Sequence, residues 1–364
     1  MYSLEDLGVV KDMEYSVPAA INSQGFVTGT AYKGAESCAF HYDYVKKLME
    51  DAGGLNSRGF AISSTSGIAG GNIVVGDAVF VMSIMPVSHA AMFKNGIVTD
   101  LGVLPNQVFS RANGINAIGQ VVGYSGQHRD STESRAFVWT SKMGMTDIGT
   151  LGGAYAQAYA INKGGYITGA SQTQGMGPMV TTHAFIYQLQ SPSARYNRMV
   201  DLGVLGGVSS YGTAINEYNH VAGYSTISTK DERVHAFLHD GKRMIDLGSL
   251  GGPGNRWGGD ISVALGVNNY DQVVGYTYLP YLPEVGAMPI QQVGFLWRRA
   301  WSGGGGQMIN LNTLLFGNGK DYLVFSATAI NDNGQIAASA YYMPDSSVRA
   351  VLLTPTGPVR IENN

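Results

Sequence analysis

The chain has 364 residues, 45% of them hydrophobic, which is enough for a sizeable core in one large domain or two average ones. Only 13% of the residues are charged, and the net charge of −3 comes with no basic block, which disfavours a nucleic-acid partner. The single cysteine, Cys38, excludes an internal disulfide, and the longest apolar runs are far too short to span a membrane.

Three short words recur along the chain at intervals of about 45 to 65 residues. The first is "AIN" followed by a turn and "G", as in "AINSQGFVTG" from Ala20 and "GINAIGQVVGYS" from Gly114, with a weaker copy, "GIAGGNIVVGDA", from Gly67. The second is His-Ala-Phe, as at His183 and His235, and the third is Asp-Leu-Gly or a relic of it. The third word begins at Asp6, Asp51, Asp100, Asp147, Asp201, Asp246 and, decayed, at Asn310.

Each of the seven copies holds four apolar segments of strand length, here called a to d in chain order. Segment a ends in "AIN", b reads "VVGYS", c reads "HAFLW" and d ends in "DLG". The Asn and Gly between a and b predict a tight hairpin turn. Seven four-stranded meanders at this period predict a single all-β domain over residues 1–364, a seven-bladed β-propeller. "MYSLEDLG" adds a d-like strand before the first copy, and "GPVRIENN" can add one at the end, so we expect the terminal strands to close the ring.

Most of the repeated residues are expected to be structural. The turn asparagines predict side-chain bonds to the backbone of the a–b turn; they are Asn22, Asn116, Asn162, Asn216, Asn268 and Asn331. The Asp of "DLG" is expected to bond backbone at the blade edge. The histidines of the second word are replaced by Cys38, Arg135, Val293 and Arg349 in other copies, which favours a structural role for them.

The words "DLGVLGG", "AIN..G..VVGYS" and "HAFLH" together resemble those of the HAF-repeat family, over about residues 2 to 357. The resemblance implies a repeat fold and an extracellular bacterial protein, but no chemistry, because the family carries no general catalytic motif. The start of the chain does not read as a signal peptide. We therefore expect a secreted or periplasmic protein whose leader is missing from this sequence, with the cytoplasm as the alternative.

The antiparallel order of the strands places the a–b and c–d links on one face of the disc, the turn face, and the b–c and d–a links on the other, the loop face. The tight turns are expected on the turn face and the long, irregular links on the loop face, where function usually lies. The residue four positions before the Ile of "AIN" should stand at the channel mouth on the loop face. These residues are Val17, Ser64, Arg111, Gln157, Tyr211, Val263 and Ser326.

Arg111, Gln157 and Tyr211 thus form a predicted polar arc. Nearby loops add Arg129, Arg256, Trp257 and Tyr322 to this ligand-binding set. Arginine binds carboxylates through two parallel bonds, and aromatic rings stack on sugars, so the first hypothesis is a propeller that binds a glycan or another small polar ligand.

Two alternatives stay open. His128 breaks the repeat in a loop-face link. With Tyr211 and Arg111 it could perform β-elimination on an acidic polysaccharide, which would make the protein a lyase. The third reading is a protein-interaction scaffold. No cysteine–histidine cluster has zinc spacing, and no cofactor motif is present, so we expect neither metal nor cofactor. We also expect a monomer with no membrane insertion.

Overall fold

The computed structural model describes residues 1–64, 72–82, 85–129, 133–175, 181–189, 198–230, 232–252, 259–280, 292–299 and 305–357. The first half of the described chain forms strands β1 Tyr2–Asp6, β2 Tyr15–Ile21, β3 Val27–Lys33, β4 Glu36–Asp43, β5 Leu48–Leu55, β6 Ser57–Ile62, β7 Val74–Met82, β8 Met85–Lys94, β9 Ile97–Asp100, β10 Phe109–Ile115, β11 Val121–Gly126, β12 Ser134–Thr140, β13 Gly144–Asp147 and β14 Gly152–Ile161.

The second half forms β15 Tyr166–Thr173, β16 Thr182–Gln188, β17 Val200–Asp201, β18 Ser210–Ile215, β19 Val221–Thr226, β20 Val234–His239, β21 Met244–Asp246, β22 Ser262–Val267, β23 Val273–Tyr278, β24 Gln292–Arg299, β25 Gly306–Asn310, β26 Tyr322–Ile330, β27 Ile336–Tyr342 and β28 Ser347–Pro355. Two 3-10 helices, Leu311–Leu314 and Gly317–Asp321, lie between β25 and β26.

The strands form antiparallel meanders, as the repeat predicts. Within the described residues there are five four-stranded sheets and one eight-stranded sheet. The eight-stranded sheet joins β10–β13 to β14–β17 through one parallel pair, Ser134 and Tyr155. The all-β prediction is therefore confirmed, whereas the expected seven blades stand against six sheets.

The N-terminal strand closes the last sheet. β1 pairs antiparallel with β28, from Tyr2 opposite Pro355 to Asp6 opposite Val351, so it takes the fourth place beside β26, β27 and β28. Leu4 of β1 is buried in one core cluster with Leu353 and Leu315. The two ends of the chain thus meet in one sheet. The segment "GPVRIENN", predicted to add a strand, lies outside the described residues after Gly357.

The turn asparagines hold their own turns and also bind neighbouring turns. The Asn162 Oδ1 accepts the N–H of Tyr166 at 3.0 Å, while its Nδ2 donates to the carbonyl of Asn216 at 2.9 Å. The same Nδ2-to-carbonyl bond joins Asn116 to Asn162, Asn216 to Asn268, Asn268 to Asn331, Asn331 to Asn22 and Asn22 to Ser63. The predicted structural role of the asparagines is confirmed.

The His of the second word binds the Asp of the third word within a sheet. His89 Nδ1 lies 3.0 Å from Asp100, His183 Nδ1 lies 2.8 Å from Asp201, and Arg135 makes the equivalent pair with Asp147. The Asp also accepts the backbone N–H of the Gly two residues later, for example Gly102, whose φ of 78° is left-handed. These histidines therefore fasten strand c to the end of strand d.

The apolar faces are buried between neighbouring sheets. One core cluster combines Ala236 and Leu238 of β20 with Val273 of β23 and Phe295 and Trp297 of β24. The Phe of "HAF" is fully buried in each described copy that keeps it, namely Phe40, Phe137, Phe185, Phe237 and Phe295. A single meander could not bury both of its faces alone, which is the physical reason for the repetition. No helix in the described part of the chain is long and apolar enough to cross a membrane.

Candidate functional site

The residues predicted at the channel mouth belong to a set of cross-strand pairs between strands a and b. Each pair joins the residue four positions before the end of strand a to the "Y" position of "VVGYS", and we call them the mouth pairs. They are Val17–Thr30, Arg58–Asp77, Arg111–Tyr124, Gln157–Ala170, Tyr211–Tyr224, Val263–Tyr276 and Ser326–Ser339. The a-strand residue of the pair is an arginine, a glutamine or a tyrosine on four consecutive a strands, β6, β10, β14 and β18.

Ser64 is not at the mouth, so that part of the prediction is wrong. In the other six mouth pairs, the a-strand residue precedes its partner by the same sequence separation, whereas the turn between β6 and β7 is longer. Ser63 occupies the place of the turn asparagine, and Arg58 lies opposite Asp77. The weak copy from Gly67 therefore does not supply strand a. The same turn breaks the expectation that every a–b link is short.

Three arginines converge on the buried carboxylate of Asp77. Arg58 binds it with two bonds, one of them Nε to Oδ1 at 2.8 Å. Arg111 Nε lies 3.5 Å and Arg129 Nη2 lies 3.7 Å from Asp77 Oδ2. The Asp77 side chain is 2% exposed, whereas those of Arg111 and Arg129 are 20% and 44% exposed. The cluster therefore carries two more positive charges than negative ones, and its excess charge faces the solvent.

Arg111 is a member of this arginine cluster with a buried donor that nothing in the described structure satisfies. Its Nε atom is buried and has no hydrogen-bond partner among the described residues, although Asp77 is nearby. Its guanidinium lies 4.6 Å from the centre of the Phe60 ring and 5.9 Å from that of Tyr124, within range of cation–π attraction. Burial and the charge of Arg58 lower the pKa of Arg129. Among the described ion pairs of these three arginines, Asp77 supplies the one carboxylate, so positive charge exceeds negative charge in the cluster.

A bulge in the backbone of strand a sets the direction of the strands that carry Arg58 and Arg111. Strand a has a bulge directly after the mouth residue, between Ala112 and Gly114 in β10 and between Gly59 and Ala61 in β6. At this bulge the carbonyl of Arg111 approaches Gly123 so closely that a Cβ there would lie 1.9 Å from it. Glycine is therefore required before Tyr124, and the bulge redirects the strand that carries Arg111.

Tyrosines continue the site away from the arginines. Tyr211 and Tyr224 stack with ring centres 4.9 Å apart. The Tyr159 hydroxyl donates to Gln157 at 3.1 Å and lies 3.4 Å from the Tyr155 hydroxyl. We call Tyr124, Tyr155, Tyr159, Tyr211, Tyr224 and Tyr276 the tyrosine arc. Burial raises the pKa of Tyr124, Tyr155 and Tyr276, so these phenols are neutral at neutral pH.

The other predicted residues are placed as follows. Arg129 joins the arginine cluster, and Gln157 and Tyr211 belong to mouth pairs. His128 is exposed next to Arg129 and has no hydrogen-bond partner in the described ranges. Tyr322 donates to Asp6 at 3.2 Å and packs on Tyr342, in the sheet that holds the N-terminal strand, so it makes no described contact with the arginines. Arg256 and Trp257 lie outside the described residues.

Two site residues were missed, Arg58 and Asp77. The signal was present, because "GDA" from Gly76 aligns with "GYS" and puts a carboxylate where other copies have Tyr. No group of three or more His, Cys, Asp or Glu in the described residues could hold a metal ion. A shallow cleft of about 520 Å³ lies on the turn face, lined by Gln24, Tyr44, Tyr270 and Gln335 among others, away from the arginine cluster.

Comparisons with solved structures support the fold. The chain is similar to the β-propeller domain of the Trilobed protease from Pyrococcus furiosus, with 7% identity, a TM-score of 0.56, and 96% of this chain and 99% of that chain covered. It is also similar to the WD40 repeats of RRP9, with 12% identity, a TM-score of 0.53, and 96% and 97% of the two chains covered. The chain is thus a β-propeller.

No curated protein sequence matches this chain. One protein family matches residues 154–351, which is more than half of the chain. That family is described as "Protein of unknown function (DUF3466)", and the chain belongs to it.

Proposed function

We propose that the protein is a seven-bladed β-propeller that binds an acidic glycan at the channel mouth of its loop face. The blade count follows if β10–β13 and β14–β17 are separate blades, since one parallel residue pair alone joins them in the described structure. We also infer that the chain is a HAF-repeat protein of the cell exterior, because the three repeated words span it.

The observation that carries the ligand proposal is the unbalanced arginine cluster. Arg58 donates two hydrogen bonds to Asp77. Arg111 and Arg129 lie 3.5 Å and 3.7 Å from the same carboxylate, beyond good hydrogen-bond distance. A guanidinium offers five donors in a planar fork that matches a carboxylate. A uronate carboxylate placed between Arg111 and Arg129 would accept hydrogen bonds from the solvent-facing ends of both guanidinium groups and neutralise one of the two excess positive charges.

The test is calorimetric titration of glucuronate and glucose, which differ only in the carboxylate, into the full chain. We expect glucuronate to bind at least about tenfold more tightly than glucose. Arg111→Ala should remove that preference, while Arg111→Lys, which keeps the charge without the fork, should remove most of it. Arg243→Ala is the control, because Arg243 is exposed on a c–d turn of the opposite face. Equal binding of the two sugars, or no loss in Arg111→Ala, would contradict the proposal.

The same samples separate the alternatives. Ultraviolet absorbance that grows with time on an acidic polysaccharide, and that disappears in His128→Ala, would make the protein a lyase. Burial raises the pKa of Tyr124, so its phenol stays protonated at neutral pH and cannot serve readily as a general base. Absence of both product and binding would leave the scaffold function.

A further inference from the structure

The tyrosine arc has no role in binding a lone carboxylate, yet it adjoins the arginine cluster. Tyr124 is the mouth-pair partner of Arg111. Tyr155 lies on β14, which packs against both β10 and β18, so the tyrosines form one path across neighbouring strands from the arginines to β18 and β19. The stack of Tyr211 on Tyr224 extends the path toward Tyr276, whose cross-strand partner Val263 lies on β22, the strand that packs against β19.

The hydroxyls along this path are available to a ligand. Among the described residues, the hydroxyls of Tyr211, Tyr224 and Tyr276 have no hydrogen-bond partner, and none of the three oxygens is buried. The Tyr159 hydroxyl, in contrast, donates to Gln157 and lies within hydrogen-bond distance of the Tyr155 hydroxyl. Half-buried rings with free hydroxyls combine an apolar surface with a polar tip, and both parts of a pyranose, its C–H face and its hydroxyls, can use them.

The charged residues along this path lie at one end of it. Arg58, Arg111 and Arg129 all lie at one end, and the mouth pairs beyond them, from Gln157–Ala170 to Ser326–Ser339, carry no charged residue. A polyanion with a charge on every unit would place its later carboxylates against neutral phenols and the apolar Val263. A ligand with one charge at one end fits this distribution better.

We propose that the site takes an acidic oligosaccharide in which one uronate is followed by neutral sugars, with the uronate at Arg111 and Arg129 and the neutral units on Tyr211 and Tyr224. This inference rests on the proposed function and adds the order of charge along the ligand. It makes Tyr211 and Tyr224 specificity-determining residues of the mouth.

The test compares four probes on the full chain by calorimetry: glucuronate, cellobiouronate (glucuronate linked to glucose), diglucuronate and cellobiose. We expect cellobiouronate to bind about tenfold more tightly than glucuronate and more tightly than diglucuronate, with cellobiose weakest. In Tyr211→Leu the ratio of cellobiouronate to glucuronate affinity should fall toward one. Tyr211→Phe, which keeps the stack on Tyr224 and loses the hydroxyl, should lose part of the ratio and covers the case in which the Leu variant does not fold.

The outcomes separate this inference from the proposed function. If glucuronate and cellobiouronate bind equally, or if diglucuronate binds most tightly, the inference is wrong while the acidic-glycan site stands. A ratio that Tyr211→Leu leaves intact, in a variant with wild-type circular dichroism, also overturns it. If cellobiose alone binds, or if none of the four probes binds, both the inference and the proposed function fail.

Discussion

The side-chain amide of Asn331 donates to the backbone carbonyl of Asn22 at 3.0 Å, although 309 residues separate them in the sequence. This bond joins the last a–b turn to the first, and so it closes the ring on the turn face independently of β1. It is one link of a series that runs from Asn116 through Asn162, Asn216, Asn268, Asn331 and Asn22 to Ser63. The series joins each of these turns to the next, and among the described residues the one gap lies between Ser63 and Asn116.

Asn162→Asp should destabilise the fold through this series. The Asn162 Nδ2 donates to Asn216 O at 2.9 Å and to Asn219 Oδ1 at 2.8 Å, so an aspartate would set a carboxylate oxygen against two acceptors. We expect the free energy of unfolding to fall by about 1–3 kcal/mol in urea titrations. Lys163→Ala, at the exposed neighbouring position, is the control. A loss no larger than that of the control would show that the series does not stabilise the ring.

Ser63→Asn should strengthen the series of bonds between the turns. Ser63 receives a bond from Asn22, but in the described residues no bond joins Ser63 to Asn116, and its short side chain only accepts the N–H of Ile73. An asparagine here could keep that acceptor and donate to the Asn116 carbonyl. We expect a gain of about 1 kcal/mol in the free energy of unfolding. A loss of stability would indicate that the longer turn after Ser63 holds the backbone away from Asn116.

Asp77→Asn should lower the stability of the fold and raise the affinity for glucuronate. The substitution removes the carboxylate that Arg58 binds with two bonds, and leaves three arginines without a buried counter-charge. We expect the midpoint of urea unfolding to fall, because a buried charge loses its partner. Affinity for glucuronate should rise at low salt, since the site gains one net positive charge. Weaker glucuronate binding in a folded variant would mean that Asp77 orients the arginines for the ligand.

His235 should make stability depend on pH. Its Nδ1 lies 2.9 Å from Asp246, and its Nε2 lies 2.9 Å from Asp260, which also binds Arg233 and Ser249. Burial alone lowers the pKa of His235, but the two carboxylates outweigh it and the pKa is raised above 6.5. Hydrogen bonds to His235 outweigh the effect of burial on Asp246 and Asp260, whose pKa values are lowered below 3.8.

Because the pKa of His235 is higher in the folded protein than in the unfolded chain, its protonation stabilises the fold fully at pH values below the unfolded pKa. This contribution is lost as the pH rises through the folded pKa. The lowered carboxyl pKa values act at the other end, where their contribution is lost as the pH falls below the unfolded value. The difference in unfolding free energy between wild type and His235→Gln should thus be largest near pH 5–6 and shrink on both sides. His128→Gln, at an exposed histidine with no described partner, should show no such profile. A flat difference for His235→Gln would mean that this histidine is neutral in the folded protein.

The sequence predicted the strands, the turns and the roles of the repeated residues, because each copy repeats the same local chemistry. The asparagine turns, the Asp-to-Gly bonds and the buried Phe all follow from single words of the repeat. The bonds between turns could not be read this way, because they depend on how neighbouring sheets stack. The mouth was predicted in part, through Arg111, Gln157 and Tyr211. Arg58 was missed because the longer turn between β6 and β7 changes its separation from Asp77. Asp77 was missed although "GDA" from Gly76 aligns with "GYS".

A crystal structure of the full chain with cellobiouronate tests the central claim most directly. The uronate carboxylate should lie within about 3 Å of the guanidinium groups of Arg111 and Arg129, with the glucose unit over Tyr211 and Tyr224. Density for the sugar on the turn face, or a carboxylate that contacts neither arginine, would contradict it.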